Sequence, residues 1–307
     1  GWDKDAGLDI RMLRFGSGDK IVSRQGDYQW KIAGCGAVPT LMAASKGQFY
    51  VVGIGNDESA SNAIFTRADS PILKMKGFNP NCPEVYGNPG SVRGKTFIVP
   101  KGTSAHYMLS RWLHVLGLNE RDVNIVDMQP SEAMKAFADG QGDAIALWAP
   151  QTFEAEKLGL KTVAHSSDCN ARQPILLVAN MDYANKHKGD IVAFLRVYLR
   201  SVDMMKKTPA EDLADDYMRF YNAWTGKTMT REEAIRDIKD HPVYALDQQL
   251  DMFKQSYGTS ELREWLHDIV SFQNETGELD RRDLARLERL HYVTDIYLKA
   301  VKAPAKK

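Results

Sequence analysis

Short apolar runs alternate with amphipathic segments through the first 180 residues, and that rhythm leaves few folds open to the chain. Runs of about four to eight apolar residues read as strands, and apolar residues spaced i, i+3, i+4, i+7 read as helices that cover a sheet face. Their alternation marks an α/β fold with a largely parallel sheet. The runs predict strands over Leu8–Leu13, Lys31–Ala33, Tyr50–Gly53, Ala63–Thr66, Thr96–Val99, Val123–Asp127, Ala144–Leu147 and Pro174–Ala179. Helical spacing predicts helices over Ser17–Arg24, Val38–Ser45, Ser104–Leu116, Ser131–Ala138 and Gln151–Leu158.

After residue 180 the pattern turns almost wholly helical. Ile191, Phe194, Leu195, Tyr198 and Val202 mark one apolar face, and Pro209 stops that helix. Further helical segments are expected at Ala210–Trp224, Arg231–Lys239, Leu246–Tyr257, Leu262–Thr276 and Asp283–Tyr297, followed by a frayed AVKAPAKK tail. With 307 residues, 43% of them hydrophobic, the chain can bury two moderate cores. The Pro- and Gly-rich stretch from residue 68 to 95 reads as an irregular excursion between strands, a simple insertion or a lid.

Charge and composition narrow the function classes. Forty Lys and Arg balance forty Asp and Glu, so no global field draws the chain to nucleic acid or to a membrane surface. No apolar run approaches the ~20 residues that span a bilayer, and GWDKDAGLDI lacks the basic start and apolar stretch of a signal peptide. Any export signal has therefore been removed or never existed, and export itself stays open. Cys35, Cys82 and Cys169 form no CxxC pair and have no His at ligand spacing, so neither a metal site nor a cofactor is expected. A Cys82–Cys169 disulfide and buried thiols both stay open.

Chemistry-bearing positions concentrate where a strand ends, small residues turn and a helix begins. RFGSGDKIV around Ser17, AGCGAVPTLMAA around Gly36 and VPKGTSAHYML around Ser104 share this design. Helix amino ends offer unpaired N–H groups and the positive end of a dipole, a setting for anions, although Ser and Thr also cap ordinary helices. No GxxxxGK[ST], GxGxxG, GxSxG or HExxH occurs, which argues against phosphate-loop, dinucleotide and common hydrolase chemistry. His106, in the first turn of its helix, could face a ligand or pack. Trp148, in DAIALWAP, could wall a ligand at a strand's carboxyl end or fill the core.

The runs AGLDIRMLRFGSGDKIV, IAGCGAVPTLMAASKG and VRGKTFIVPKGTSAHYMLSRWLHVLGLNERDVNIVDMQPSEAMKAFADGQGDAIALWAPQTFEAE, in this order, resemble the periplasmic solute-binding proteins of nitrate, sulfonate and taurine ABC importers. TSAHY, MQP and the WAP that follows GDA look closest to the taurine-binding branch. The resemblance implies a two-lobed type II periplasmic-binding-protein fold, each lobe a mainly parallel sheet flanked by helices, with a helical C-terminal part. It places lobe 1 at 1–66 and 180–307 and lobe 2 at 67–179. It also implies a strand and helix of about 25 residues ahead of the GLDI strand.

Carried over by position, the resemblance puts the sulfonate-binding helix start on Thr103, Ser104 and Ala105 with His106 beside them. The loop of the first lobe falls on Gly36, Ala37 and Val38, the wall on Trp148, and an acidic strand-opening position on Asp143. Ser17, Cys35, Asp57, Glu58 and Gln173 are further candidates, Asp57 or Glu58 as a partner for an ammonium group such as taurine's. The CGAVP loop has fewer hydroxyls than is usual for taurine binders.

The expected function is that of the substrate-binding component of an ABC importer. It would be periplasmic or anchored on the outer face of the cytoplasmic membrane, and would capture taurine or another alkanesulfonate in the cleft between its lobes. Its partners would be the small anionic solute and the permease and ATPase of the inner membrane, the protein itself being a monomer without catalytic residues. Two alternatives stand beside it: an enzyme on the same fold acting on a pyrimidine precursor, with Cys35, His106 and His165 as its unusual residues, and a ligand-sensing domain.

Overall fold

The computed structural model describes residues 1–23, 30–46 and 49–302. Arg24, at the end of one expected helix, and the last five residues of the expected tail lie outside them. The strands are β1 (Ile32–Gly36), β2 (Phe49–Asp57), β3 (Asn62–Thr66), β4 (Thr96–Val99), β5 (Asn124–Asp127), β6 (Ala144–Trp148), β7 (Lys161–His165) and β8 (Pro174–Asn180). The helices up to β8 are α1 (Trp2–Asp5), α2 (Gly18–Ser23), α3 (Ala37–Ala44), α4 (Pro89–Val92), α5 (Ser104–Val115), α6 (Pro130–Ala138) and α7 (Gln151–Lys157). After β8 come α8 (Met181–Lys186), α9 (Lys188–Lys207), α10 (Ala210–Thr225), α11 (Arg231–Asp240), α12 (Leu246–Phe253), α13 (Glu261–Glu275), α14 (Arg281–Arg289) and α15 (Ile296–Lys302).

Two compact units divide the chain: Gly1–Asn56, Pro174–Tyr217 and Pro242–Lys307 form the first, and Asp57–Gln173 with Met218–His241 the second. The chain crosses between the units at 56/57 and 173/174, ten and six residues ahead of the boundaries expected at 66/67 and 179/180. The helical segment Met218–His241 goes with the second unit. There Arg236 makes a two-pronged ion pair with Glu156 on α7, and Lys157 pairs with Glu233.

The second unit carries a five-stranded sheet in the order β5-β4-β6-β3-β7. β4 runs parallel to β5 and β6, while β3 is antiparallel to β6 and β7. The sheet is therefore mixed, because β3 runs against the direction of its neighbours. Alternate residues serve opposite faces. Ile64, Phe97, Val99, Ala144 and Ala146 pack with Leu109, Trp112 and Leu113 of α5, and Ala63, Phe65, Ile98, Ile145 and Leu147 pack with Ala133 and Phe137 of α6. Cover on both faces explains why these strands read as continuous apolar runs. β7, whose exposed Lys161 and half-buried Thr162 interrupt such a run, escapes sequence pattern.

The excursion from residue 68 to 95 is no lid. Ile72, Cys82, Val85 and Val92 are buried in the α5-side core, Tyr86 N–H donates to Val163 O at 3.0 Å, and Trp112 Nε1–H donates to Tyr86 O at 3.0 Å.

The first unit has the strand order β1-β8-β2, with β1 and β8 antiparallel. At the free side of β2, Val51 exchanges backbone bonds with Tyr292 and Thr294 at 2.7 and 3.1 Å. This strand-like pairing splits the helix expected over Asp283–Tyr297 into α14 and α15. Gln249, fully buried, completes the edge: its Oε1 accepts from Ile54 N–H and its Nε2 donates to Ile54 O. The strand expected over Leu8–Leu13 has no sheet partner among the described residues, and Ile10, Met12 and Leu13 are exposed. An apolar run becomes a strand only where a neighbour takes up its N–H and C=O groups.

Candidate functional site

The amino end of α5 follows the carboxyl end of β4. Gly102 makes the turn at φ +70°, a left-handed conformation that glycine adopts without strain. Thr103 is the N-cap, but its hydroxyl does not cap: Oγ1–H turns back to donate to Pro100 O at 2.6 Å. The N–H groups of Ser104 and Ala105 find no acceptor among the described residues. An uncapped helix mouth holds donors and a partial positive charge ready for an anion. Ser104 is half-buried, so its N–H is within reach of a ligand, whereas Ala105 is fully buried.

Neighbouring strands bring other groups to the same end of the sheet. Trp148 closes β6, parallel to β4, and stands half-buried in register with Asn62, the first residue of the antiparallel β3. Ser166 follows β7 and donates its N–H to Asn62 O at 3.0 Å. Gln173, 3% exposed, donates from Nε2 to Ser104 O at 2.9 Å and to Ser166 Oγ at 3.1 Å. Ser104, Trp148 and Gln173 are thus gathered on one sheet end, where open α/β sheets take ligands. Asn62 and Ser166 join them without any sequence motif. Asn62 is fully buried, and its Oδ1 meets no hydrogen-bond donor.

Asp143, expected in the binding set, opens β6 at the opposite end, five residues or roughly 16 Å of strand from Trp148. Its carboxylate accepts from Thr96 N–H at 2.8 Å and pairs with Lys95 at 3.0 Å, so it pins β6 to β4. His106 is 2% exposed: Nδ1 accepts from Gly102 N–H at 3.3 Å, and Nε2 faces Glu120 at 2.9 Å. It holds the turn and leaves the mouth to the backbone of Ser104, Ala105 being fully buried.

Asp57 is also engaged. It is 2% exposed, accepts from Ser59 N–H, Ser59 Oγ–H and Gln173 N–H, and binds Arg172 at 3.1 Å. An ammonium group would find its oxygens taken. Burial pushes the Glu58 carboxyl above its ordinary value, His241 drawing it down while Asp237 and Asp57 push it further up. Arg172, next to Gln173, was not singled out by the sequence because a lone arginine before a strand carries no pattern.

In the first unit, Ser17, Cys35, Gly36, Ala37 and Val38 do come together. A side chain at Gly18 would meet Pro39 Cγ at 2.7 Å and Cys35 Sγ at 3.1 Å, so only glycine lets the Ser17 turn approach α3 so closely. Cys35 Sγ lies 3.6 Å from Gly18 O. Gly36 is the N-cap of α3 and brings no side chain, while Gln273 Nε2 donates to Val38 O at 2.7 Å. Ala37 and Val38 are buried, which makes this mouth a smaller and more apolar one than that of α5.

One constellation in the second unit has the outline of a relay: Ser61 Oγ lies 3.0 Å from His241 Nε2, and His241 Nδ1 lies 2.7 Å from Asp237 O and 3.4 Å from Asp237 Oδ1. Ser61 is buried, and the Ser61 and Asn62 N–H groups both donate to Glu58 O, which leaves them unable to steady an oxyanion. The three residues fasten the end of α11 to the turn before β3. Among the described residues no group of three or more His, Cys, Asp or Glu side chains is arranged to hold a metal ion.

Residues 84–212 match the NMT1/THI5-like family. The chain is 29% identical over 240 residues to a protein of Brachyspira hyodysenteriae named as an ABC transporter periplasmic binding protein, covering 78% of this chain and 68% of the relative. It is 26% identical over 262 residues to a Bacillus subtilis protein named as an aliphatic sulfonates-binding protein, covering 83% and 75%. Its fold matches the crystal structure of the periplasmic aliphatic sulphonate binding protein of Escherichia coli with a TM-score of 0.71 at 18% identity, over 92% of this chain and 83% of that one. The chain has the periplasmic-binding-protein fold.

Proposed function

We infer, from similarity to one protein named as an ABC transporter periplasmic binding protein and another named as an aliphatic sulfonates-binding protein, that this chain is the solute-capturing component of an importer and that its solute is a small alkanesulfonate. The observation that carries this reading is the uncapped mouth of α5, whose half-buried Ser104 N–H stands at the sheet end that also bears Trp148. A sulfonate keeps its charge at every physiological pH and offers three acceptor oxygens, matched by N–H groups without a counter-ion. Trp148 gives the alkyl part an apolar wall. Thr103 and Ser104 are the proposed anion ligands at this mouth.

The partners in this reading are a permease and ATPase at the membrane, and the place of work is the periplasm or the outer face of the cytoplasmic membrane. Because the Asp57 oxygens are engaged, taurine's ammonium finds no carboxylate there. Calorimetric titration with ethanesulfonate, taurine, longer alkanesulfonates and an uncharged sulfonamide tests the proposal. Alkanesulfonates should bind, taurine no tighter than ethanesulfonate, and the sulfonamide should not. Failure of every sulfonate to bind or to raise Tm overturns it.

A further inference from the structure

Cys82 and Cys169, far apart in sequence, lie in one apolar cluster with Ile72, Val85 and Trp112, at 5% and 1% exposure. Cys82 sits in the excursion between β3 and β4, and Cys169 ends the 3-10 turn Ser167–Cys169 ahead of β8. Asn170, the residue after Cys169, is held at φ +53° and places its Nδ2 3.9 Å from Cys82 Sγ. The residue beside Cys169 thus touches the Cys82 sulfur, and the two thiols share one buried cluster in which Cys82 acts on Cys169. Both segments are fixed there, the excursion through Tyr86 N–H to Val163 O and the turn through Ser166 N–H to Asn62 O.

From this juxtaposition we propose that Cys82 and Cys169 are a redox pair, closing to an intramolecular disulfide when the protein meets an external disulfide such as oxidised glutathione or a dithiol oxidase. The Cys82 or Cys169 thiolate attacks one sulfur of the external disulfide, expelling one thiolate and leaving a mixed disulfide. The second protein thiol, giving up its proton, then displaces the other external sulfur as thiolate. Two protein thiols are oxidised, one external disulfide is reduced to two thiols, and the protons of the protein thiols pass to the leaving groups or to water. Burial raises the pKa of both thiols, and Cys169 is raised further by the neighbouring Cys82. Closure is accordingly slow at neutral pH and quickens as pH rises. The bond ties the excursion to the turn that carries Ser166, one of the groups behind the mouth of α5.

The test treats the whole chain with excess oxidised glutathione, then alkylates it with iodoacetamide in denaturant without reductant. The expected product has lost two hydrogens, carries one alkyl group at Cys35, and yields a linked peptide containing Cys82 and Cys169 on digestion. It should also melt at a higher temperature than the reduced chain, and the difference should vanish on adding dithiothreitol. Cys35→Ser should still close, and Cys169→Ser should not. Three alkylated cysteines, glutathione retained on Cys82 or Cys169 without a linked peptide, or a linkage through Cys35 would each overturn the proposal. The wild-type map decides even if a variant fails to fold.

Discussion

Replacing Ser104 with proline should remove one donor from the mouth of α5 while leaving the helix in place. Proline is favoured at the first helical position, where no intrahelical N–H bond is lost. The preceding Thr103 already has φ −123° and ψ 174°, the extended conformation a following proline demands. Gln173 bonds the Ser104 carbonyl, which proline retains. The variant therefore loses a hydroxyl and an N–H, whereas Ser104→Ala loses only the hydroxyl. A hydrogen bond to a charged group contributes about 1.5–3 kcal/mol, and a tenfold change in Kd corresponds to about 1.4 kcal/mol. Ser104→Pro should thus weaken ethanesulfonate binding by roughly 10- to 150-fold, and Ser104→Ala by less. Calorimetry gives both values, with thermal melts to show that the fold is kept. An unchanged Kd in Ser104→Pro, at unchanged Tm, would place the anion elsewhere.

Trp148→Ala should weaken long-chain alkanesulfonates more than methanesulfonate in competition titrations, because the lost wall faces the alkyl part. Asp143→Asn should lower stability by about 1–2 kcal/mol in urea melts, through its bonds to Thr96 and Lys95, and leave Kd unchanged. Glu58 has a folded-state pKa above its ordinary 4.5, so folding favours its protonated form. Its contribution is fully present below pH 4.5 and is lost as pH climbs through the folded value. Glu58→Gln should therefore raise Tm at pH 7 and flatten the fall in stability above pH 4.5 seen in pH-dependent melts.

Much of the second unit was legible in the chain itself. Thr96–Val99 is a strand over the predicted span, and the helix starting at Ser104 begins where its turn residues place it, because Gly102 and Thr103 are local signals and α5 carries its own apolar stripe. The ligand candidates were harder to sort. His106 and Asp143 have chemistry that suits an anion or ammonium site, yet Glu120 and Gly102 claim the first and Lys95 and Thr96 the second, and all but Gly102 come from another turn or strand.

The order of apolar runs, turns and helical stripes determined by itself that this is an α/β chain with strand-turn-helix mouths at Gly36 and Ser104, because propensity and periodicity act over a few residues. Tertiary structure alone decided that Leu8–Leu13 has no sheet partner and that Tyr292–Thr294 leave a helix to pair with Val51. It also decided that Asn62, Ser166 and Gln173 meet Trp148 and Ser104 at one sheet end while Asp143 stands at the other. Strand order and direction set these meetings, and they depend on long-range hydrogen bonds and burial that no short window of sequence contains.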